Sequence, residues 1–199
     1  LTESIGDELR ALELPRGQGV YVVGGTVRDI LLGRESFDVD IAVEGDAIAF
    51  AQTLGGDVTA HGRFGTAVVR FADGRHWDVV TTRRESYPAP AALPEVDAGS
   101  IQEDLARRDF TANAMAASLG DDYGRILDPY GGRADLESST IRVLHPRSFV
   151  DDPTRIFRAV RYEARLGFRM DGESERLARE AVGGIRLLSA ARLREEVVA

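Results

Sequence analysis

The chain has 199 residues, of which 43% are hydrophobic and 29% charged, with a net charge of −8 and no cysteine. These totals suit one good-sized folded domain, or one domain with part of another, and they exclude disulfides and cysteine-ligated zinc. No run approaches eighteen uncharged apolar residues and the N-terminus lacks the basic-then-apolar pattern of a signal peptide, so no membrane span is expected and the cytoplasm is the expected compartment.

From the N-terminus, residues 1–12 read as a helix, with Thr2 or Ser4 as cap and Ile5, Leu9 and Leu12 on one face. "GVYVVGG" reads as a short buried strand closed by glycines, and "TVRDILLG" as a short helix ended by Gly33. Strict alternation makes "FDVDIAV" a strand, and "DAIAFAQTLGG" reads as a helix with Gly55 and Gly56 past its end. "GTAVVRF" and "HWDVVTT" read as two strands joined by the hairpin dipeptide Asp73–Gly74. "YPAPAALPEVDAGS", with three prolines, reads as a loop. Ser100 and Glu103 form a capping-box pattern opening a helix at "IQEDLARRD", with "FTANAMAAS" continuing as helix or turn. "GRILDPYGG" and "TIRVLH" read as strands. From Ser148 the pattern is helical, with one long helix over "SFVDDPTRIFRAVRYEARLG" ended by Gly167, and two more over "ESERLAREAV" and "SAARLREEVV". His61, His76 and His145 show no metal-ligand spacing and read as turn or surface residues.

Charge divides the chain. Residues 1–144 hold 14 Arg against 24 acids, and residues 145–199 hold 11 Arg against 9 acids. The first part could hold a divalent metal and the second could meet a polyanion, unless the chain is simply an acidic protein with a mixed helical tail. The expected architecture is an α/β domain over residues 1–144, with a mixed or mostly antiparallel sheet, followed by an all-helical segment over 145–199. Leu1 is not an initiator methionine and the last helix lacks a finished end, so the natural chain is expected to be longer.

Within "FDVDIAV", Asp38 and Asp40 share one strand face while Val39, Ile41 and Val43 point to the core. Two same-face carboxylates, roughly 7 Å apart at Cα, can converge on a hard cation such as Mg²⁺. A bare pair is equally a solvent-exposed acidic face. "HWDVV" adds Asp78 between two apolar residues on an expected neighbouring strand, and three carboxylates from two strands suit two-metal nucleotidyl transfer. Gly24 and Gly25 end a strand and open a helix, where backbone N–H groups can face phosphate and the missing Cβ atoms permit close approach. Arg28, in the first turn, could pair with phosphate oxygens. A tight turn alone would also explain the glycines. There is no Walker lysine and no dinucleotide-binding fingerprint.

"GGTVRDILLG" followed by "DVD" resembles the opening signature of the polymerase-β nucleotidyltransferase superfamily, and more narrowly the class II tRNA nucleotidyltransferases (CCA-adding enzymes) and their bacterial poly(A) polymerase relatives. Later segments agree in order: "EDLARRDFTANAMA" is similar to the second family motif, "LDPYGGRADLESSTIRVLH" to the third and "DDPTRIFRAVR" to the fourth. The fourth usually has Glu at the position of Asp151. "SAARLREE" is similar to the fifth motif, with Arg192 and Glu196 at the expected spacing. The resemblance runs from about Tyr21 to Glu196. It implies a catalytic head followed by a helical neck, with the family's body and tail domains absent from this chain.

The resemblance also implies roles. Asp38 and Asp40 would hold Mg²⁺. Gly24, Gly25, Arg28, Arg108, Asp109, Asn113, Asp152, Arg155, Arg158 and Arg161 would bind the nucleotide, with Asp109 and Asn113 reading the ribose 2′-hydroxyl. Asp152 and Arg155, at i and i+3, would read the Watson–Crick edge of cytosine or adenine and reject uracil and guanine, which present a carbonyl where a donor is needed. The partners implied are a tRNA 3′ end with ATP, CTP or both. "AHGRFGTAVVRF" looks more like the tRNA enzymes than the poly(A) polymerases, which remain the alternative. A non-catalytic nucleotide- or RNA-binding module of the same fold is a second. The stretch from Glu85 to Asp104 holds no Arg, a departure from full CCA-adding enzymes, so addition of CCA, of CC only and of A only all stay open.

Overall fold

Hydrophobic alternation dictates where the sheet lies. The structure, a computed structural model, describes residues 3–14, 17–34, 38–62 and 65–198. Strands β1 (Val20–Val23), β2 (Asp38–Val43), β3 (Asp57–His61), β4 (Thr66–Arg70) and β5 (His76–Thr81) are followed by a separate hairpin, β6 (Arg83–Ser86) and β7 (Glu95–Ala98), and then by β8 (Ala116–Ser118) and β9 (Ile126–Leu127). Seven of these form one mixed sheet in the order β3-β4-β5-β2-β1-β8-β9. Its pairings are antiparallel except for the central β2–β5 pair, which is parallel. Val39, Ile41 and Val43 of β2 are buried on one side, with Val69, Trp77 and Val79 beside them. On the other side Val23, Ala42 and Ala116 pack against Ile101 and Leu105.

Nine α-helices accompany the sheet among the described residues. They are α1 (Glu3–Arg10), α2 (Gly24–Leu31), α3 (Ala47–Gln52), α4 (Ile101–Ala106) and α5 (Gly132–Glu137), then α6 (Ser148–Asp151), α7 (Thr154–Leu166), α8 (Gly172–Ala181) and α9 (Ala190–Val198). Leu9 of α1 is buried and Leu12 packs on the core. The expected cap Thr2, the side chains of Ser4 and Ile5, and Phe37, Arg63 and Phe64 lie outside the described residues. α4 starts with the expected capping box, in which Ser100 N–H donates to Glu103 Oε2 at 2.8 Å and Ser100 Oγ accepts from Glu103 N–H. The β4–β5 turn closes as the Asp73–Gly74 pair requires, with Gly74 at φ 89°.

Several expectations need correction. Residues 57–61 form β3, and the proline-rich stretch contains β7, so the segment after β6 is a hairpin rather than a plain loop. Its tip is docked: Ala91 N–H donates to the Val150 carbonyl at 3.2 Å. "FTANAMAAS" contains the turn that is one of its two expected forms, a 3-10 turn at Thr111–Asn113, but it then enters β8, because sheet burial overrides the helical preference of its alanines. The long helix expected from Ser148 is broken at Asp152–Pro153 into α6 and α7, since proline has no N–H for a helical ladder. The helical segment also carries a short strand, β11 (Arg169–Met170), paired in parallel with β10 (Thr140–Ile141). Phe149, Ala159, Phe168 and Ala178 of that segment join the same buried cluster as the sheet.

Ile41 is fully buried in the central strand. Ile41→Ala is expected to cost about 2–5 kcal/mol of stability, read as a lower urea midpoint at unchanged slope.

Candidate active site

Alternation along β2 that buries its valines turns Asp38 and Asp40 to the opposite side. The parallel register sets Asp40 directly beside Asp78 of β5. Thr26, near the start of α2, fixes the pair from above: its Oγ1 accepts from Asp40 N–H at 2.9 Å. Burial first, and then the charge of Asp78, push the Asp40 carboxyl above the usual carboxylate range, while Arg108 pulls it partly back. Asp38 Oδ1 lies 3.1 Å from His76 Nδ1, so His76 belongs to the site despite its lack of ligand spacing in sequence.

A cavity of about 700 Å³ opens over these carboxylates, lined mostly by charged and polar side chains. Gly25, Arg28, Asp38, Asp40 and Asp78 border it on the sheet side. Arg108, Asp109 and Asn113 border it from the turn after α4, and Asp152, Arg155 and Arg158 from the helical segment. Of the expected site residues, Gly24 and Arg161 are not on its wall. Gly24 has φ 64° and opens α2, but its N–H donates to the Met115 carbonyl at 3.2 Å and is not available to phosphate. A Cβ there would collide with Arg108 Nη1, so this glycine makes room for an arginine. Arg161 is paired with Glu196.

The arginines and their partners are distributed differently from the expectation. Arg28 is buried: its Nε and Nη2 each bond Asp29 at 2.9 Å and its Nη1 bonds Asn113 Oδ1 at 2.7 Å. It ties α2 to the turn that precedes β8 while bordering the cavity. Asp109 is also saturated. Its Oδ1 accepts from Phe110 N–H at 2.8 Å and Asn113 Nδ2 at 2.9 Å, and its Oδ2 from Arg158 at 2.7–2.8 Å. Burial pushes its carboxyl up, but Arg158, Asn113 and Phe110 N–H outweigh burial and hold it below the usual range. A ribose hydroxyl would have to share or displace one of these donors.

Asp152 and Arg155 line the same wall and are linked through the backbone, Arg155 N–H donating to the Asp152 carbonyl at 3.1 Å, but their side chains do not pair. Asp152 Oδ1 accepts from Thr154 N–H at 3.0 Å, Thr154 Oγ1 at 2.6 Å and Arg192 Nη2 at 2.7 Å. Its Oδ2 accepts no hydrogen bond from the described residues. Arg155 is buried, donating to Ser148 Oγ at 2.6 Å and to the Arg107 carbonyl at 2.8 Å. Asp151 pairs with Arg147 at 2.8 Å and not with Arg155.

Asp104 was not singled out from the sequence. It is fully buried and holds two arginines: Oδ1 takes Arg107 Nη2 at 2.8 Å and Oδ2 takes Arg108 Nη2 at 2.8 Å. The i, i+3 and i, i+4 spacing in "DLARR" is the signal that could have found it. Arg108, so anchored, keeps a buried Nε without a partner among the described residues. Tyr162 was also missed. It lies under two guanidinium groups, 5.3 Å from Arg28 and 5.9 Å from Arg158.

The family described as "Poly A polymerase head domain" matches residues 20–142. An A-adding tRNA nucleotidyltransferase of Geobacter sulfurreducens is 50% identical over 93% of this chain and 22% of its own length. One from Halalkalibacterium halodurans is 46% identical over 80% of this chain and 38% of its own. A CC-adding tRNA nucleotidyltransferase of Deinococcus radiodurans is 43% identical over 73% and 40%. The solved apo form II of a CCA-adding enzyme superposes with a TM-score of 0.92 at 44% identity, over 99% of this chain and 49% of that one. The Thermotoga maritima CCA-adding enzyme complexed with tRNA gives 0.83 at 41% identity, over 98% and 47%. The chain therefore spans 22–40% of the length of these curated relatives and about half of the solved chains.

Burial pushes the Asp104 carboxyl up, but Arg108 and Arg107 outweigh it and hold it below the usual range. A depressed carboxyl contributes stability above its unfolded value, about 3.9, and loses it as pH falls through the lower folded value. Asp104→Asn is expected to cost about 3 kcal/mol near neutral pH. Its gap to the wild type should narrow in urea titrations carried below that folded value. A gap of constant size would show that the carboxylate charge is not what stabilises.

Proposed function

The chain belongs to the family of poly(A) polymerase head domains, and on that premise we propose that it is the nucleotidyl-transferring part of a tRNA nucleotidyltransferase. It would join AMP, from ATP, to a tRNA 3′ end with release of pyrophosphate. One observation carries this reading: a single cavity gathers the β2–β5 carboxylates, the Arg108–Asp109 turn and the Asp152–Arg155 wall, which are far apart in sequence. Addition of A is favoured because relatives named A-adding are matched at 46–50% identity. The arginine-free stretch from Glu85 to Asp104 supports an enzyme of partial specificity. Addition of C is the second reading, supported by the CC-adding relative. Residues 145–199 would act as the neck, the nucleotide-selecting wall. No helix among the described residues is long and apolar enough to cross a membrane.

Nucleotidyltransferases of this family generally use divalent metals, and the donor set suits Mg²⁺. Among the described residues no three His or carboxylate side chains form a ready-made metal cage. Mg²⁺ instead typically takes one or two carboxylates and completes its shell with water and substrate phosphate. Burial, and after it the charge of Asp78, lift the Asp40 carboxyl, and a cation held there would offset both. Asp38 and Asp40 would hold it, with Asp78 as the neighbouring acid. When bound, the metal offsets charge on the triphosphate and favours the nucleophilic form of the RNA 3′-hydroxyl.

The chain's own residues do the rest. Arg108, fixed by Asp104, offers donors beside the carboxylates where the phosphates would lie. Asp109 holds Arg158 in place. Asp152, held at Oδ1 by Arg192 and Thr154, presents Oδ2 as acceptor for the exocyclic amino group of adenine or cytosine. Two Arg155 donors are taken, leaving others of the same fork for an acceptor on the base. Guanine and uracil would set a carbonyl against Asp152, and each buried group left unpaired costs about 1–3 kcal/mol.

Nucleotide incorporation by the full chain, on tRNAs ending at the discriminator base, at C and at CC, tests the reading. AMP addition to the CC end alone is expected. Incorporation of C in its place would favour the second reading, and no incorporation on any end would reject both. Asp38→Ala and Asp40→Ala should abolish incorporation. Asp152→Ala should let GTP and UTP compete, with little change in triphosphate affinity. Unchanged preference for ATP and CTP would contradict base reading by the protein.

A further inference from the structure

Helix α7 carries a ladder of four arginines, Arg155, Arg158, Arg161 and Arg165, at spacings of three, three and four. Such spacing keeps them along one side of the helix. Three are committed to partners within the protein. Arg155 serves Ser148 and the Arg107 carbonyl, Arg158 serves Asp109 and Arg161 serves Glu196. Arg165 differs. It is exposed, it borders the cavity, and it makes no hydrogen bond or ion pair with the described residues.

A charge in the last turn of a helix complements the helix dipole, worth about 0.3–1 kcal/mol. That accounts for a cation at this end of α7 but not for one on the cavity wall. Arg158 and Arg161 are neutralised by Asp109 and Glu196, and Arg155 is buried with two of its donors taken, so none of the three offers a whole guanidinium to a phosphate. An uncommitted guanidinium at the rim retains its full planar fork, which matches two oxygens of a phosphate group.

We propose that Arg165 binds a phosphate group at the rim of the cavity and acts as a positioning residue for the reaction put forward above, on which this inference rests. The phosphate comes either from the triphosphate of the incoming nucleotide or from the phosphodiester backbone of the RNA end. Both are polyanions that the cavity must orient against the carboxylates of β2.

Equilibrium titration of the full chain with ATP, and separately with a tRNA ending in CC, tests this without turnover. Arg165→Gln should weaken one of the two ligands by about five- to tenfold, and Arg165→Lys should restore most of the loss. If the RNA weakens and ATP does not, the source is the phosphodiester, and the salt dependence of RNA binding should fall by about one unit of slope. If ATP alone weakens, the source is the triphosphate. Unchanged affinity for both ligands overturns the inference, as does an equal loss in both variants accompanied by a lower melting temperature. A wild-type chain that binds both ligands but incorporates nothing would overturn the functional reading and leave the Arg165 result standing. One that binds neither overturns both.

Discussion

Strands β2 and β5 run side by side in parallel, and their register sets Asp40 against Asp78. The same alternation that buries Val39, Ile41, Trp77 and Val79 forces both acids to the opposite side. Like charges on paired positions repel, and burial makes this worse. The surrounding structure is organised to hold that arrangement. Thr26 bonds the backbone at Asp40, and Gly24 leaves the space in which Arg108 reaches the acids. Arg108 in turn depends on the fully buried Asp104. Negative charge is thus concentrated where a cation and a polyphosphate can share it, and it is only partly neutralised from within.

The second constraint is how the helical wall is referenced to the sheet. Arg155 reaches the Arg107 carbonyl and Arg158 reaches Asp109, so α7 is tied to the turn that also carries Arg108. Arg192 of α9 bonds Asp152 and, at 2.8 Å, the carbonyl of Ala91 in the hairpin tip. The carboxylate proposed to read the base therefore sits in a frame that includes α9 and the β6–β7 hairpin. Discrimination by hydrogen bonding requires such fixed placement, because a loosely held group would turn to accept the wrong edge.

Much of this was legible in sequence where one physical rule acts alone. Alternation gave β2 and β5, Asp73–Gly74 gave the hairpin between β4 and β5, and Ser100 with Glu103 gave the start of α4. The sequence reading failed where tertiary context decides. Alanines favour helix in isolation, yet Ala116 and Ala117 pair with β1 and β9. Exposed β3 has weak patterning, and the prolines around Ala91 hid β7. The residues bordering the cavity were largely found, but their partners were not. Arg28 lies one residue from the acid that binds it, and nothing in "GGTVRD" tells a phosphate-binding arginine from one consumed by its neighbour. Asp104 was hidden among ordinary helical charges because its burial depends on the sheet packed behind it.

The central claim is that the β2–β5 acids form a cation site that orients a nucleotide triphosphate. The most direct measurement is an anomalous difference map from crystals soaked with ATP and Mn²⁺ in place of Mg²⁺. The account predicts a Mn²⁺ peak beside Asp38 and Asp40 with the triphosphate bound. Triphosphate bound in the cavity with Mn²⁺ absent from both aspartates would contradict it.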